Sequence, residues 1–141
     1  SQARTPADAM IYSWPRAEVY VWLGRGSELV ESLKVLVEAL PEEYDPPYRL
    51  AWVLHKIDRP REALVPITRA LSLAYGPRKG RILSLAAEIH ETLGDSASAL
   101  QARHALADLL EALPEMRRPK GLLEANQKAL SATPDVGKPR R

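Results

Sequence analysis

The sequence predicts an all-α protein: a right-handed superhelical array of about three antiparallel helix hairpins with a C-terminal capping helix. Two observations lead to this prediction. Apolar residues recur at helical spacing between breaks that are rich in glycine and proline. Small residues and turn residues also recur with a period near 34 residues, as they do in arrays of helical hairpins.

The first hairpin is predicted on either side of a glycine-containing turn at residues 23–27. Residues 18–23 fit a strand nearly as well as a helix, but no second strand is available to pair with them. We begin this helix at Pro15, which suits a first turn, and end it at Gly24, which suits the left-handed position after a helix. Ser27 is the expected start of the second helix, whose apolar residues share one face.

The second and third hairpins follow the same plan, with turns at residues 57–62 and 93–98. Gly94 is expected to end the first helix of the third hairpin. Asp95 or Ser96 is available as the N-cap of the helix that follows.

A seventh helix near residues 120–131 is expected to cover the last hairpin, because the end of a repeat array otherwise exposes an apolar surface. The predicted organisation is an N-terminal arm at 1–14, a helical repeat domain at 15–132 and a flexible basic tail at 133–141. The sequence starts without methionine and without a signal-peptide pattern, which leaves open that it is a piece of a longer protein.

Composition narrows the classes of partner and chemistry. The 141 residues contain no cysteine, which excludes disulfides, thiolate metal sites and a cysteine nucleophile, and leaves both cytoplasmic and exported or periplasmic locations open. No run approaches the roughly 18 apolar residues of a membrane span, so no membrane partner is expected. The net charge is +2 with cations and anions interleaved, so nucleic acid is not the expected partner either.

The repeat has one uncertain register. A shift of 36 residues superimposes Ala63 on Ala99, and it superimposes the turns before them, but it places Ala70 on Leu106. A shift of 35 presents Ala105 at that place instead. Ala63 and Ala99 lie where the second helix of a hairpin crosses the first, and a small side chain permits that close approach.

At these positions the chain resembles the tetratricopeptide repeat family, between roughly Pro15 and Pro114. In that family a small residue begins the second helix, another follows seven residues later, and glycine often marks the turn. Ala63 and Ala70 match both small positions, while Ala99 and Gly94 match the first small position and the turn. The chain departs from the family's pattern at Leu54, Pro66, Ile67, His90, Arg103 and Leu106, and Pro66 is expected to interrupt its helix.

A narrower similarity joins the segments YDPPYRLAWVLHKIDRPREAL and LAYGPRKGRIL to the helical-repeat extensions behind thioredoxin-like domains of some bacterial exported proteins. This similarity implies an accessory domain of a larger bacterial protein. It does not imply an oxidoreductase, because the chain has no Cys-x-x-Cys pair.

The family's register directs one stripe of each first helix toward the concave side of the array. Aromatic and acidic walls there suit an extended peptide with apolar and basic residues, from another protein or from a domain of the same parent chain. Packing of the aromatic residues in the core remains the alternative. The family's carboxylate clamp is not expected, because Trp52 and Glu88 stand where Lys and Asn are needed. The predicted peptide- or protein-binding residues are Tyr48, Trp52, His55, Arg81, Ser84, Glu88 and Glu91.

Two other functions compete with this non-catalytic scaffold. A nucleic-acid-binding module would use the cations Arg78, Lys79 and Arg81 together with the basic tail. A helical enzyme would assemble a site from Glu88, His90 and His104, but these residues form no recognised motif and the histidines lack metal-ligand spacing. We therefore expect no catalytic residue, no metal and no cofactor, while the oligomeric state is left open.

Overall fold

The computed structural model describes residues 6–132, and it describes side chains from Trp14 onward. This part of the chain contains helices and no strand, so the predicted all-α class is confirmed. The predicted seventh helix is confirmed as well. The helices are α1 (Pro6–Trp22), α2 (Val30–Ala39), α3 (Asp45–Lys56), α4 (Pro60–Leu73), α5 (Lys79–Thr92), α6 (Ser96–Ala112) and α7 (Lys120–Ala132), with 3-10 turns at Gly26–Leu29, Gly76–Arg78 and Glu115–Arg117.

The chain divides into two compact units, Ser1–Ala74 and Tyr75–Arg141, which we call unit 1 and unit 2. In unit 1, α3 packs against α4 as a hairpin, and both α1 and α2 contact α3. In unit 2, α5 packs against α6, and α7 packs against both of them. The buried apolar side chains of unit 1 include Leu33, Leu50, Val53, Leu54 and Ile67, and those of unit 2 include Ile82, Leu85, Ile89, Leu106 and Leu110.

The first helix of each hairpin ends in the same left-handed turn, at Gly24 (φ 74°), Asp58 (φ 64°) and Gly94 (φ 77°). An aspartate tolerates this conformation better than most side chains do. The spacing of these turns, 34 and then 36 residues, is the spacing that the sequence predicts. After each turn a backbone N–H donates to the carbonyl five residues earlier: Arg25 to Tyr20 (2.7 Å), Arg59 to Leu54 (2.8 Å) and Asp95 to His90 (2.9 Å).

The start of each second helix repeats as well. Two parallel hydrogen bonds join Arg25 to Glu28, and two more join Arg59 to Glu62, one repeat later. In the third hairpin the same places carry Asp95 and Ser98. There the predicted N-cap is confirmed, because the Ser98 backbone N–H donates to Asp95 Oδ1 at 3.1 Å. The Ser98 side chain and this backbone bond together lower the pKa of Asp95.

The two proline predictions are wrong. Helix α1 begins at Pro6, so Pro15 lies inside it, and the predicted arm at 1–14 overlaps the helix. Helix α4 runs through Pro66 without interruption, although proline removes one backbone donor from the helix. In α4, Pro66 is itself buried together with Ala63, Ile67 and Ala70, and this burial offsets the local loss. Residues 1–5 and the predicted tail at 133–141 lie outside the described residues.

The second helix begins later than expected. The 3-10 turn Gly26–Leu29 precedes α2, and the α-helix proper starts at Val30 without a side-chain cap. Gly26 has a packing reason: a Cβ atom there would lie 2.6 Å from Ile57 Cγ2. Only glycine permits this close approach of the turn to the end of α3.

The structure resolves the uncertain register in favour of the 36-residue shift. Leu106 is buried, and Ala105 is exposed. A leucine fits there because α5 carries Gly80, where an added Cβ would lie 3.7 Å from Leu106 Cδ1 and 3.3 Å from Leu122 Cδ2. One repeat earlier, the position of Leu106 is taken by Ala70, which is also buried.

Enlarging a buried alanine tests this register. We expect Ala99→Leu to lower the free energy of unfolding by about 1–3 kcal/mol, because the added atoms overpack the contact between α5 and α6. Ala105→Leu is the matched control on the same helix and should change it by less than about 0.5 kcal/mol. Urea unfolding followed by circular dichroism measures both, and equal losses would contradict the register.

Candidate functional site

A network of polar bonds fixes α1 against the start of α3. The Trp14 indole Nε1–H donates to Asp45 Oδ1 at 2.9 Å, and the Arg49 guanidinium donates to Asp45 Oδ2. The guanidinium carbon also lies 5.2 Å from the centre of the Trp14 ring. Both oxygens of one carboxylate are therefore used, one for each helix.

Arg49 makes this network indispensable because the side chain is only 1% exposed. Burial lowers the pKa of Arg49 to about 10, so the guanidinium still carries its charge at neutral pH. A buried cation requires a nearby anion, and Asp45 supplies it one helical turn earlier. Asp45 also suits the first turn of α3, where a negative charge faces the positive end of the helix dipole.

Two predicted binding residues, Tyr48 and Trp52, pack on the same Trp14 ring. The ring centres lie 5.2 Å apart for Tyr48 and 5.6 Å apart for Trp52, the latter edge-on. Both side chains remain half-buried. Trp52 is therefore neither fully in the core nor fully on the surface. Part of its ring packs on α1, and the rest faces solvent near Lys56, whose Nζ is 5.9 Å from the ring centre.

His55 lies one turn beyond Trp52 on the same face of α3, and it is also half-buried. Spacings of four and then three residues keep Tyr48, Trp52 and His55 in one line. We call this line the α3 stripe. The structure thus brings together all three of the binding residues that the sequence predicts in unit 1.

The four predicted residues of unit 2 lie on one face of α5, which we call the α5 stripe. Arg81 and Glu88 are exposed, and Ser84 is half-buried. Glu91 is exposed in part, but its Oε1 accepts two hydrogen bonds from Arg103 of α6, at 2.5 and 3.2 Å. Since Arg103 is buried, Glu91 is held by the hairpin itself and adds less to an acidic surface than the sequence implies.

The enzyme interpretation requires Glu88, His90 and His104 to act together. Glu88 and His90 are two residues apart on α5, and side chains at that spacing do not face each other. His90 Nδ1 instead lies 3.7 Å from Asp95 Oδ2, while His104 is exposed on α6. Among the described residues, no group of three or more His, Asp or Glu side chains is placed to hold a metal ion.

An apolar ridge on α1 went unrecognised in the sequence. Trp22 is 84% exposed, and Val19 and Leu23 on the same side are about half exposed, at 53% and 51%. A signal was present: residues 19–23 are apolar at every position, and a helix cannot bury every side chain of such a run. None of the helices within residues 6–132 is long and apolar enough to cross a membrane.

No protein-family model matches this sequence, and no curated protein matches it either. The geometry of the hairpins and of the two stripes therefore carries the functional argument.

Removing the shared carboxylate tests the polar network. Asp45→Ala removes the carboxylate beside the buried Arg49 charge, and it also removes the acceptor of the Trp14 indole. We expect a loss of about 3–5 kcal/mol in the free energy of unfolding. Thermal and urea unfolding measure it, with Asp108→Ala on the exposed face of α6 as the control.

The double variant Asp45→Ala, Arg49→Met separates charge from packing. It removes the buried cation together with its anion, so it should be closer to the wild type than Asp45→Ala alone. An Asp45→Ala protein that melts at the wild-type temperature would contradict the network's role.

Proposed function

We propose that the chain is a non-catalytic interaction module of the tetratricopeptide-repeat type, and that the stripes on its first helices are surfaces for a peptide or protein partner. The observation that carries the proposal is the periodic pair of stripes on equivalent helices. Tyr48, Trp52 and His55 on α3 correspond, 36 residues later, to Ser84, Glu88 and Glu91 on α5. An accessory domain of a larger bacterial protein is the setting we infer from the family resemblance.

The α3 stripe offers apolar contact that is held in place before binding. The Trp52 ring is oriented by its edge-on contact with Trp14, so little side-chain freedom is lost when a partner covers the ring. Tryptophan also removes a large apolar area from water in a single contact. An aliphatic or aromatic side chain of the partner suits this place, with Lys56 beside it as a polar boundary.

The α5 stripe offers polar selection. Glu88 is exposed and favours a basic side chain of the partner, and the half-buried Ser84 offers a hydroxyl one turn earlier. Glu91 already pairs with Arg103, so it contributes less to an acidic surface than its position implies. The partner that fits is a segment with apolar and basic residues, bound by side-chain contacts and without any covalent step.

Peptide display against the purified full chain tests this proposal. Peptides enriched over several rounds should combine apolar and basic residues. For such a peptide, Glu88→Gln should weaken binding and reduce its salt dependence, because one charge pair is lost. Trp52→Ala should weaken binding by about 1–3 kcal/mol through the lost apolar contact.

Two controls keep the result interpretable. Circular dichroism comes first, because Trp52 packs on Trp14, and an unfolded Trp52→Ala protein would place this side chain in the core. Val65→Ser changes an exposed side chain of α4 that belongs to neither stripe, so its affinity should equal the wild type. Enriched peptides that bind Glu88→Gln and a folded Trp52→Ala as tightly as the wild type would reject the proposal.

A further inference from the structure

Two helix starts that are 41 residues apart in sequence, each with a lysine, come together in unit 2. A Cβ atom placed on Gly80, in the first turn of α5, lies 3.3 Å from Leu122 Cδ2 in the first turn of α7. The two first turns therefore lie side by side. Both helices begin with the same dipeptide, Lys79-Gly80 in α5 and Lys120-Gly121 in α7.

The cations at these two helix starts are not neutralised by neighbours. Within residues 6–132, no ion pair involves Lys79, Arg81, Arg117 or Lys120, and we call these four residues the basic surface. Neither first turn contains an acidic residue. Arg25 and Arg59, by contrast, each form an ion pair with a nearby glutamate.

The acidic residues near this surface are fewer than its cations. Glu115 opens the 3-10 turn before α7, and Glu124 follows in the second turn of α7. The nearby Arg118 points elsewhere, since its guanidinium donates to the carbonyls of Leu113 and Glu111 at the end of α6. The surface remains net positive without it.

An aromatic ring stands beside the cations. Tyr75 is 66% exposed and directly precedes the 3-10 turn Gly76–Arg78 that leads into α5. Its hydroxyl accepts a hydrogen bond of 2.8 Å from Arg78 Nη1, and the guanidinium carbon lies 5.0 Å from the ring centre. The contact with Arg78 restrains the ring while most of its area stays open to solvent.

We propose that unit 2 binds single-stranded nucleic acid through the basic surface and Tyr75. Cations at several points track a phosphate backbone, and an exposed ring accepts a stacked base without regard to sequence. An acidic peptide would use the same charges, but it gives no reason for an exposed, restrained aromatic ring. This inference goes beyond the peptide-binding function, since Tyr75, Lys79, Arg117 and Lys120 belong to neither stripe, and Arg81 is the one residue that the basic surface shares with the α5 stripe.

Fluorescence anisotropy with a labelled 15-residue oligothymidylate tests the inference on the full chain. Binding should be measurable at about 50 mM salt and should weaken steeply as salt rises. The double variant Lys79→Gln, Lys120→Gln should bind at least about fivefold more weakly, with a shallower salt slope. Tyr75→Ala should weaken binding about tenfold and leave the salt slope nearly unchanged.

The matched control, Lys34→Gln with Arg61→Gln, removes two exposed cations from unit 1 and should bind like the wild type. Circular dichroism establishes that each variant is folded. Polyglutamate of equal charge is the competitor, because it distinguishes binding of a nucleic acid from binding of an acidic peptide. The inference is overturned by absent binding at about 50 mM salt, by equal loss in the control, or by full affinity of Tyr75→Ala with polyglutamate competing equally per charge.

Discussion

The packing of α1 on α3 in unit 1 depends on the two contacts that the Asp45 carboxylate makes. A guanidinium as buried as that of Arg49 requires an anion beside it, and Asp45 meets this requirement with one oxygen while its other oxygen accepts the Trp14 indole proton. Asp45 thus neutralises the Arg49 charge on α3 and also holds Trp14 of α1. Since Trp14 in turn orients Tyr48 and Trp52, the exposed part of the α3 stripe takes its shape from a bond that lies beneath it.

Unit 2 meets a similar requirement in another way. Its buried arginine, Arg103, lies on the second helix of the hairpin and is neutralised by Glu91 from the first. Helix α7 then contacts the same residue, because the buried Asn126 side chain donates to the Arg103 carbonyl at 3.0 Å. The capping helix is therefore held by a directional polar bond as well as by Leu122, which gives it one defined position on the hairpin. In both units an acidic residue on a first helix holds a buried arginine, so it contributes less to the surface than its sequence position implies.

The sequence predicts what local chemistry determines, and it fails where a distant partner decides. Gly24 and Gly94 end their helices as expected because the left-handed turn is a property of a few consecutive residues. Pro15 and Pro66 both lie inside helices, contrary to expectation. For Pro66, burial with its neighbours on α4 offsets the loss of one backbone bond. The burial of Leu106 depends on Gly80, which lies 26 residues earlier and is recognisable as its counterpart only in the structure. For the candidate site, periodicity was sufficient to align the α3 stripe, but it did not reveal that Glu91 pairs with Arg103.

The net charge of the sequence is a poor guide to the charge of a local surface. A net charge of +2 with interleaved signs argues against a polyanion when it is averaged over the chain. Folding changes the local charge, because some charged side chains pair with each other, as Arg59 does with Glu62 and Arg103 with Glu91. It also brings the first turns of α5 and α7, each with its lysine, side by side. Helix α5 consequently changes sign along its length, from Arg81 in its first turn to Glu88 two turns later. Ligands of opposite charge would then bind different parts of one helix, so salt would act on each through different side chains. The charge that a ligand meets is the charge of one surface, and that charge depends on the fold as well as on the composition.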